Sequence, residues 1–178
     1  MIQHTFGIPI WENDFDTEEI KLENELQRRW ESETLTSYGL KNDLTKSSID
    51  YILQQLVLFT NEIIEGKHKI DLKEFWVNKY YYKDFQDAHL HPFFHFSFTI
   101  FKDVPKDCGQ LKFLHPAYDW IQIYENLKIP SLMAKVWLTQ MPNKIIIFPS
   151  FLKHIVTAGK TDQPRVTYSG NFVVEKHE

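Results

Sequence analysis

Cysteine is nearly missing from this chain: Cys108 stands alone among 178 residues, so no internal disulfide can form. That fits a reducing compartment. Long apolar runs are missing too. None approaches the roughly 18 residues of a membrane span, so no membrane-spanning helix is expected. The opening stretch MIQHTFGIPIWENDFD lacks the charged-then-apolar layout of a secretory leader, and a cytoplasmic location is the expectation. Positive charge is not in excess either. With 20 basic and 24 acidic residues the net charge is −4, which argues against a nucleic-acid partner. The lysines are interleaved with acids, as on a solvated face.

What the chain does have is apolar and aromatic material: 43% hydrophobic residues and 15% aromatics, enough for a core and too much for a disordered segment. Its length suits one domain over residues 1–178, with a helical part at about 15–70 and a barrel core at about 74–174. Residues 5–11, interrupted by Gly7 and Pro9, read as an edge strand. Leu22, Leu26 and Trp30 recur every four residues and predict a helix over 17–33, followed by a loop over 35–46. A second helix is predicted from a start at Ser47 and Asp50, with Ile49, Ile52, Leu53, Leu56, Ile63 and Ile64 as its stripe and Gly66 as its stop. From Phe75 the texture becomes that of strands: 76–82, 91–101, 110–114, 133–139, 144–148, 154–157 and 165–174, with 119–127 as a possible helical insertion. Helices followed by short strands predict a mainly β (α+β) jelly roll with the helices packed outside.

The chemistry-bearing residues sit in the second half. His89 and His91 share one face if a strand holds them, and two such imidazoles can share a metal. His154, in PSFLKHIV, is the natural distant third ligand. Any one of these histidines, taken singly, reads more readily as an ordinary surface or core residue. Arg165 follows His154 by eleven residues and alternates with Thr167, Ser169 and Asn171 along one strand. A buried arginine requires an anion. A carboxylate held bidentately, with the Thr167 hydroxyl beside it, satisfies that need; an ion pair with one of the 24 acids is the alternative.

Three segments together carry a resemblance: WVNKYYYKDFQDAHLHPFFHFSFTIFKDVP, CGQLKFLHP and IIIFPSFLKHIVTAGKTDQPRVTYSGNF. They resemble the small phage and bacterial branch of the 2-oxoglutarate- and Fe(II)-dependent oxygenases, over about residues 75–172. The N-terminal FGIPIW resembles the first strand of those proteins. The resemblance implies a double-stranded β-helix, Fe(II), 2-oxoglutarate, and O2 as co-substrate. It implies a hydroxylase that converts 2-oxoglutarate and O2 to succinate and CO2, in the host cytoplasm if the chain is viral. Carried over by position, His89, His91 and His154 would hold iron. Arg165 would hold the distal carboxylate of 2-oxoglutarate with help from Thr167, and Asn78 or Tyr80 would touch the co-substrate.

Two departures stand out. The common facial triad is two histidines and a carboxylate, whereas the second position here is His91, with Asp87 as the alternative carboxylate ligand of matching parity. Relatives also commonly carry Ser-Gly where Ser97 is followed by Phe98, and an inward Phe98 would narrow the pocket. Two other readings stand beside the oxygenase: a cupin-like three-histidine dioxygenase without 2-oxoglutarate, and a non-catalytic jelly-roll module that binds a metal or an acidic ligand. The primary substrate and oligomeric state are not legible.

Overall fold

The computed structural model describes residues 7–24, 28–29, 34–40, 43–129, 133, 135–137 and 140–176. Five short strands come first: β1 (Trp11–Asp14), β2 (Leu22–Asn24), β3 (Arg28–Arg29), β4 (Leu35–Thr36) and β5 (Asp43–Leu44). Helix α1 (Lys46–Ile63) leads into β6 (His68–Tyr80), β7 (Gln86–His89), β8 (Phe96–Asp103) and β9 (Leu111–Leu114). A short α2 (Tyr118–Ile121) continues as a 3-10 turn (Gln122–Leu127), as expected for a helical insertion. The chain ends in β10 (Lys135–Trp137), β11 (Lys144–Pro149), β12 (His154–Val156) and β13 (Arg165–Lys176).

The strands pair antiparallel into a seven-stranded sheet of order β1-β11-β8-β13-β6-β4-β3 and a four-stranded sheet of order β10-β9-β12-β7. This is the mainly β, double-stranded β-helix architecture, with α1 outside. Alternation along the strands builds two cores. On β11, Ile145 and Ile147 face α1, where they join Ile52, Leu56, Phe59, Phe98, Tyr168 and Phe172. Ile146 and Phe148 face the smaller sheet and pack with Tyr80, Phe101, Phe113 and Val156. The α1 contribution is the fully buried Ile52, Leu56 and Phe59, each stabilising by roughly 1.5–3 kcal/mol relative to exposure.

The cap of helix α1 lies two residues before the expected Ser47. It is Thr45, accepting from the Ser48 backbone N–H. Ser48 is thereby free to tie the N-terminal segment down: its hydroxyl donates to the Glu19 carbonyl and accepts from the Lys21 N–H. Gly66, at φ +87°, does follow the helix end.

Among the described residues of 17–33, the expected helix is not formed. Asp16 caps a 3-10 turn at Thr17–Glu19, and Leu22 then pairs with Leu44, while Arg28 and Arg29 pair with Thr36 and Leu35. Sheet pairing and the Ser48 contacts override the period-four pattern; Leu26 and Trp30 lie outside the described residues. Two short strands likewise occupy part of the expected 35–46 loop. The N-terminal strand begins only at Trp11, past Pro9; residues 5 and 6 lie outside the described residues. The strand expected over 91–101 begins at Phe96, because Pro92 and a left-handed Phe93 at φ +80° break the extended run.

Candidate active site

β7 and β12 run antiparallel with His89 directly opposite His154, and the two rings lie 4.2 Å apart between centroids. His91 lies beyond the end of β7, where its backbone N–H donates to the Ser150 carbonyl at 2.9 Å. Its ring is 5.2 Å from that of His89 and 5.3 Å from that of His154. One nitrogen from each of the three rings falls within 4.8 Å of the others. A bound cation of suitable size fits such a group.

The hydrogen bonds orient two of these rings for that purpose. His89 Nδ1 lies 2.7 Å from the Asp87 carbonyl, and His154 Nδ1 lies 2.9 Å from the Leu152 carbonyl. A carbonyl only accepts, so each Nδ1 carries the hydrogen and each Nε2 keeps its lone pair for a metal. Burial pushes the His154 pKa well below the usual value, with the neighbouring His89 adding to the effect. Burial and then His89 lower His91 to about 4, and burial lowers His89 against a partial opposing pull from Asp87. All three are therefore neutral near pH 7, the form that ligates. Asp87 is exposed and stands outside the close group of nitrogens.

The same cavity reaches Arg165, Thr167, Asn78 and Tyr80. Arg165 is 1% exposed, and its cross-strand partner is Tyr80, while Thr167 faces Asn78. The guanidinium stands 5.1 Å over the Tyr80 ring and 5.4 Å over the Phe101 ring. Its Nε donates to Gln140 Oε1 at 3.0 Å, but Nη1 has no partner. Burial lowers its pKa, yet a guanidinium stays charged. Among the described residues no carboxylate pairs with it. Burial pushes the Tyr80 hydroxyl up to about 12, so it remains protonated and donates to Gln86 Oε1 at 2.8 Å.

Further along β13, Asn171 donates to Glu74 Oε2 at 2.6 Å and accepts from Ser97 Oγ at 2.7 Å, with its amide 3.5 Å from His91 Nδ1. Phe98 borders the cavity, but its ring is turned to the other side of the sheet. It packs beneath α1 opposite Gly170, whose missing side chain leaves room for the ring. Gln140 and Gln86 are contacts that the sequence reading missed. Neither sits in a motif, and only the folded chain brings them to Arg165 and Tyr80.

The family model for 2OG-Fe(II) oxygenases matches residues 74–171, more than half of the chain. The chain belongs to this family. The 2OG-Fe(II) oxygenase is accordingly an oxidoreductase that uses iron and 2-oxoglutarate, and the three neutral imidazoles with a buried guanidinium whose Nη1 is unfilled suit both groups. Among curated proteins, none matches the sequence. Solved structures share the fold. One is HygX from Streptomyces hygroscopicus with nickel, 2-oxoglutarate and hygromycin B bound, at TM-score 0.60 and 8% identity over 93% of this chain and 83% of that one. A second is an oxidoreductase of the 2OG-Fe(II) oxygenase family from Burkholderia pseudomallei, at TM-score 0.59 and 13% identity over 84% and 72%. A third is a Pseudomonas putida prolyl-4-hydroxylase, at TM-score 0.52 and 14% identity over 96% and 94%. Among the described residues, no helix of the oxygenase is long and apolar enough to cross a membrane.

Proposed function

We propose that His89, His91 and His154 hold the iron of this oxygenase, that Arg165 and Thr167 hold the distal carboxylate of 2-oxoglutarate, and that the enzyme hydroxylates a small organic substrate. The observation that carries the reading is Arg165: a buried cation with an unfilled Nη1, lining the cavity that also contains the three imidazoles. A five-carbon dicarboxylate held by a metal at one end needs a cation at the other. When bound, iron and 2-oxoglutarate supply the oxidising power drawn from O2, with succinate and CO2 as the co-products.

The chain's own residues do the rest. The backbone carbonyls of Asp87 and Leu152 fix two imidazole tautomers. Tyr80 and Phe101 cover the guanidinium and keep water from it, which strengthens its hold on a carboxylate. Asn78 and Tyr80 stand beside Thr167 and Arg165 for further contact with the co-substrate. Asp87 as a substitute ligand is disfavoured by its exposure outside the close group. A cytoplasmic setting remains the reading from the single cysteine.

The test is succinate formation from 2-oxoglutarate by protein supplied with Fe(II), ascorbate and O2. Slow conversion is expected without the primary substrate. Failure of the iron-loaded protein to bind 2-oxoglutarate at all would return the reading to a three-histidine dioxygenase or a metal-binding module.

A further inference from the structure

A second, wider pocket of about 410 Å3 opens on His89 and His91 from the outside. Its size suits a small organic molecule rather than a single water or ion. Three rings line it: Tyr38, Trp76 and Phe85. The Tyr38 and Trp76 rings meet edge-on at 5.1 Å, and Trp76 in turn lies 5.5 Å from the His91 ring. Aromatic walls therefore run from the mouth to the proposed metal ligands.

Among the described residues, one carboxylate lines this pocket, that of Asp87, and no lysine or arginine does. Asp87 has no basic partner among the described residues. It precedes His89 by two positions on β7, so the two side chains share a face about 6–7 Å apart along the strand. A carboxylate in a pocket that aromatic rings also line attracts a cation by its charge, and the rings add to that where their faces are open.

We propose that the oxygenase acts on an organic cation of the alkylammonium kind, whose charged end rests on Asp87 while its apolar stem runs past Phe85 and Trp76 toward His89 and His91. This rests on the reading of His89, His91 and His154 as the metal site. The spacing of Asp87 from His89 places the oxidised C–H a few carbons from the nitrogen. It also gives Asp87 a role other than the ligand role that its parity suggested.

The experiment uses zinc-substituted, 2-oxoglutarate-loaded protein titrated with n-pentylamine, 1-pentanol and pentanoate, one stem with three charges, followed by ligand-observed NMR. The amine is expected to bind about fivefold or more tighter than the alcohol, with pentanoate weakest. Asp87→Asn should abolish the preference for the amine over the alcohol, and Phe85→Ala should weaken amine binding severalfold. Equal binding of all three probes, a preference for pentanoate, or an unchanged preference in Asp87→Asn overturns the proposal. Loss of zinc from Asp87→Asn also overturns it, because the residue would then be a ligand. Metal content and 2-oxoglutarate affinity are read on the same wild-type sample. If both are intact and the amine is not preferred, only the substrate assignment fails; if either is lost, the metal-site reading fails whatever the amine does.

Discussion

Arg165 stands directly across from Tyr80 in the pairing of β13 with β6, its guanidinium over the ring and its Nη1 without a partner. A charge buried this deeply is tolerable only if the working protein supplies an anion for it. Arg165→Ala should weaken 2-oxoglutarate binding by about 2–4 kcal/mol, the cost of breaking a buried charge-assisted pair on one side. Arg165→Lys should also bind poorly, since an ammonium lacks the planar fork. Metal content should survive both changes. Titration of 2-oxoglutarate into metal-loaded, folded variants measures this, and unchanged affinity would remove the co-substrate role.

Metal binding should fail when one imidazole of the close group is removed. After dialysis, His154→Ala is expected to retain far less than one metal per chain, and His91→Ala should behave alike. Asp87→Ala should keep its metal. Elemental analysis of the three variants decides the ligand set, and a stoichiometric metal in His154→Ala would sink it.

Acid should destabilise the metal-free protein through the same histidines. Their folded-state pKa values lie below the unfolded value of 6.5, with His91 at about 4. Between those limits the unfolded chain binds more protons than the folded one, so stability rises with pH across the window. The melting temperature should therefore fall as pH drops from about 6.5 toward 4, and these groups should contribute no slope above about 7.5. Replacing His91 with Gln should flatten part of that fall, measurable by thermal denaturation across pH. An unchanged slope would mean that His91 does not titrate as its burial requires.

Gly170→Ala should be severely destabilising. A β-carbon there would sit 2.4 Å from the Phe98 ring and 2.5 Å from the Glu74 carbonyl, closer than real contacts allow. Overpacking of this kind costs about 1–3 kcal/mol, and a backbone oxygen cannot move aside cheaply. Gly170→Ala in a Phe98→Ala background should lose less than the two single effects added, a coupling that a double-mutant cycle reads directly. Additive losses would mean that the ring is not the obstacle.

How much of this was legible in the chain depends on where each signal resides. The strands from Phe75 onward and the insertion near Tyr118 follow from alternation and turn signals, which are local properties of sequence, whereas the grouping of His89, His91, His154 and Arg165 comes from the family resemblance, His91 lying past the end of β7. The stretch from Thr17 to Glu33 was misread because Leu22 and its neighbours mimic a helical period, while their actual partners, Leu44 and Ser48, lie more than twenty residues away. The exposed reach of Asp87, the missing partner of Arg165 Nη1 and the Gln140 contact exist only once the sheets have closed. Phe98 shows the same limit. Its direction was open until Gly170 was found opposite it.

The two halves of the site also differ in what it takes to open them. β13 is the fourth of seven strands in its sheet, bonded on one side to β6 and on the other to β8, whereas β7 ends the smaller sheet. Amides of Thr167 and Ser169 should exchange with solvent only when the whole sheet comes apart, while those of β7 should exchange through cheaper local openings. Fluctuation is thereby concentrated on the side that carries His89 and the outer pocket, and withheld from the side that carries Arg165. On the proposed reading, a molecule entering the outer pocket can disturb β7 without loosening the strand that carries Arg165.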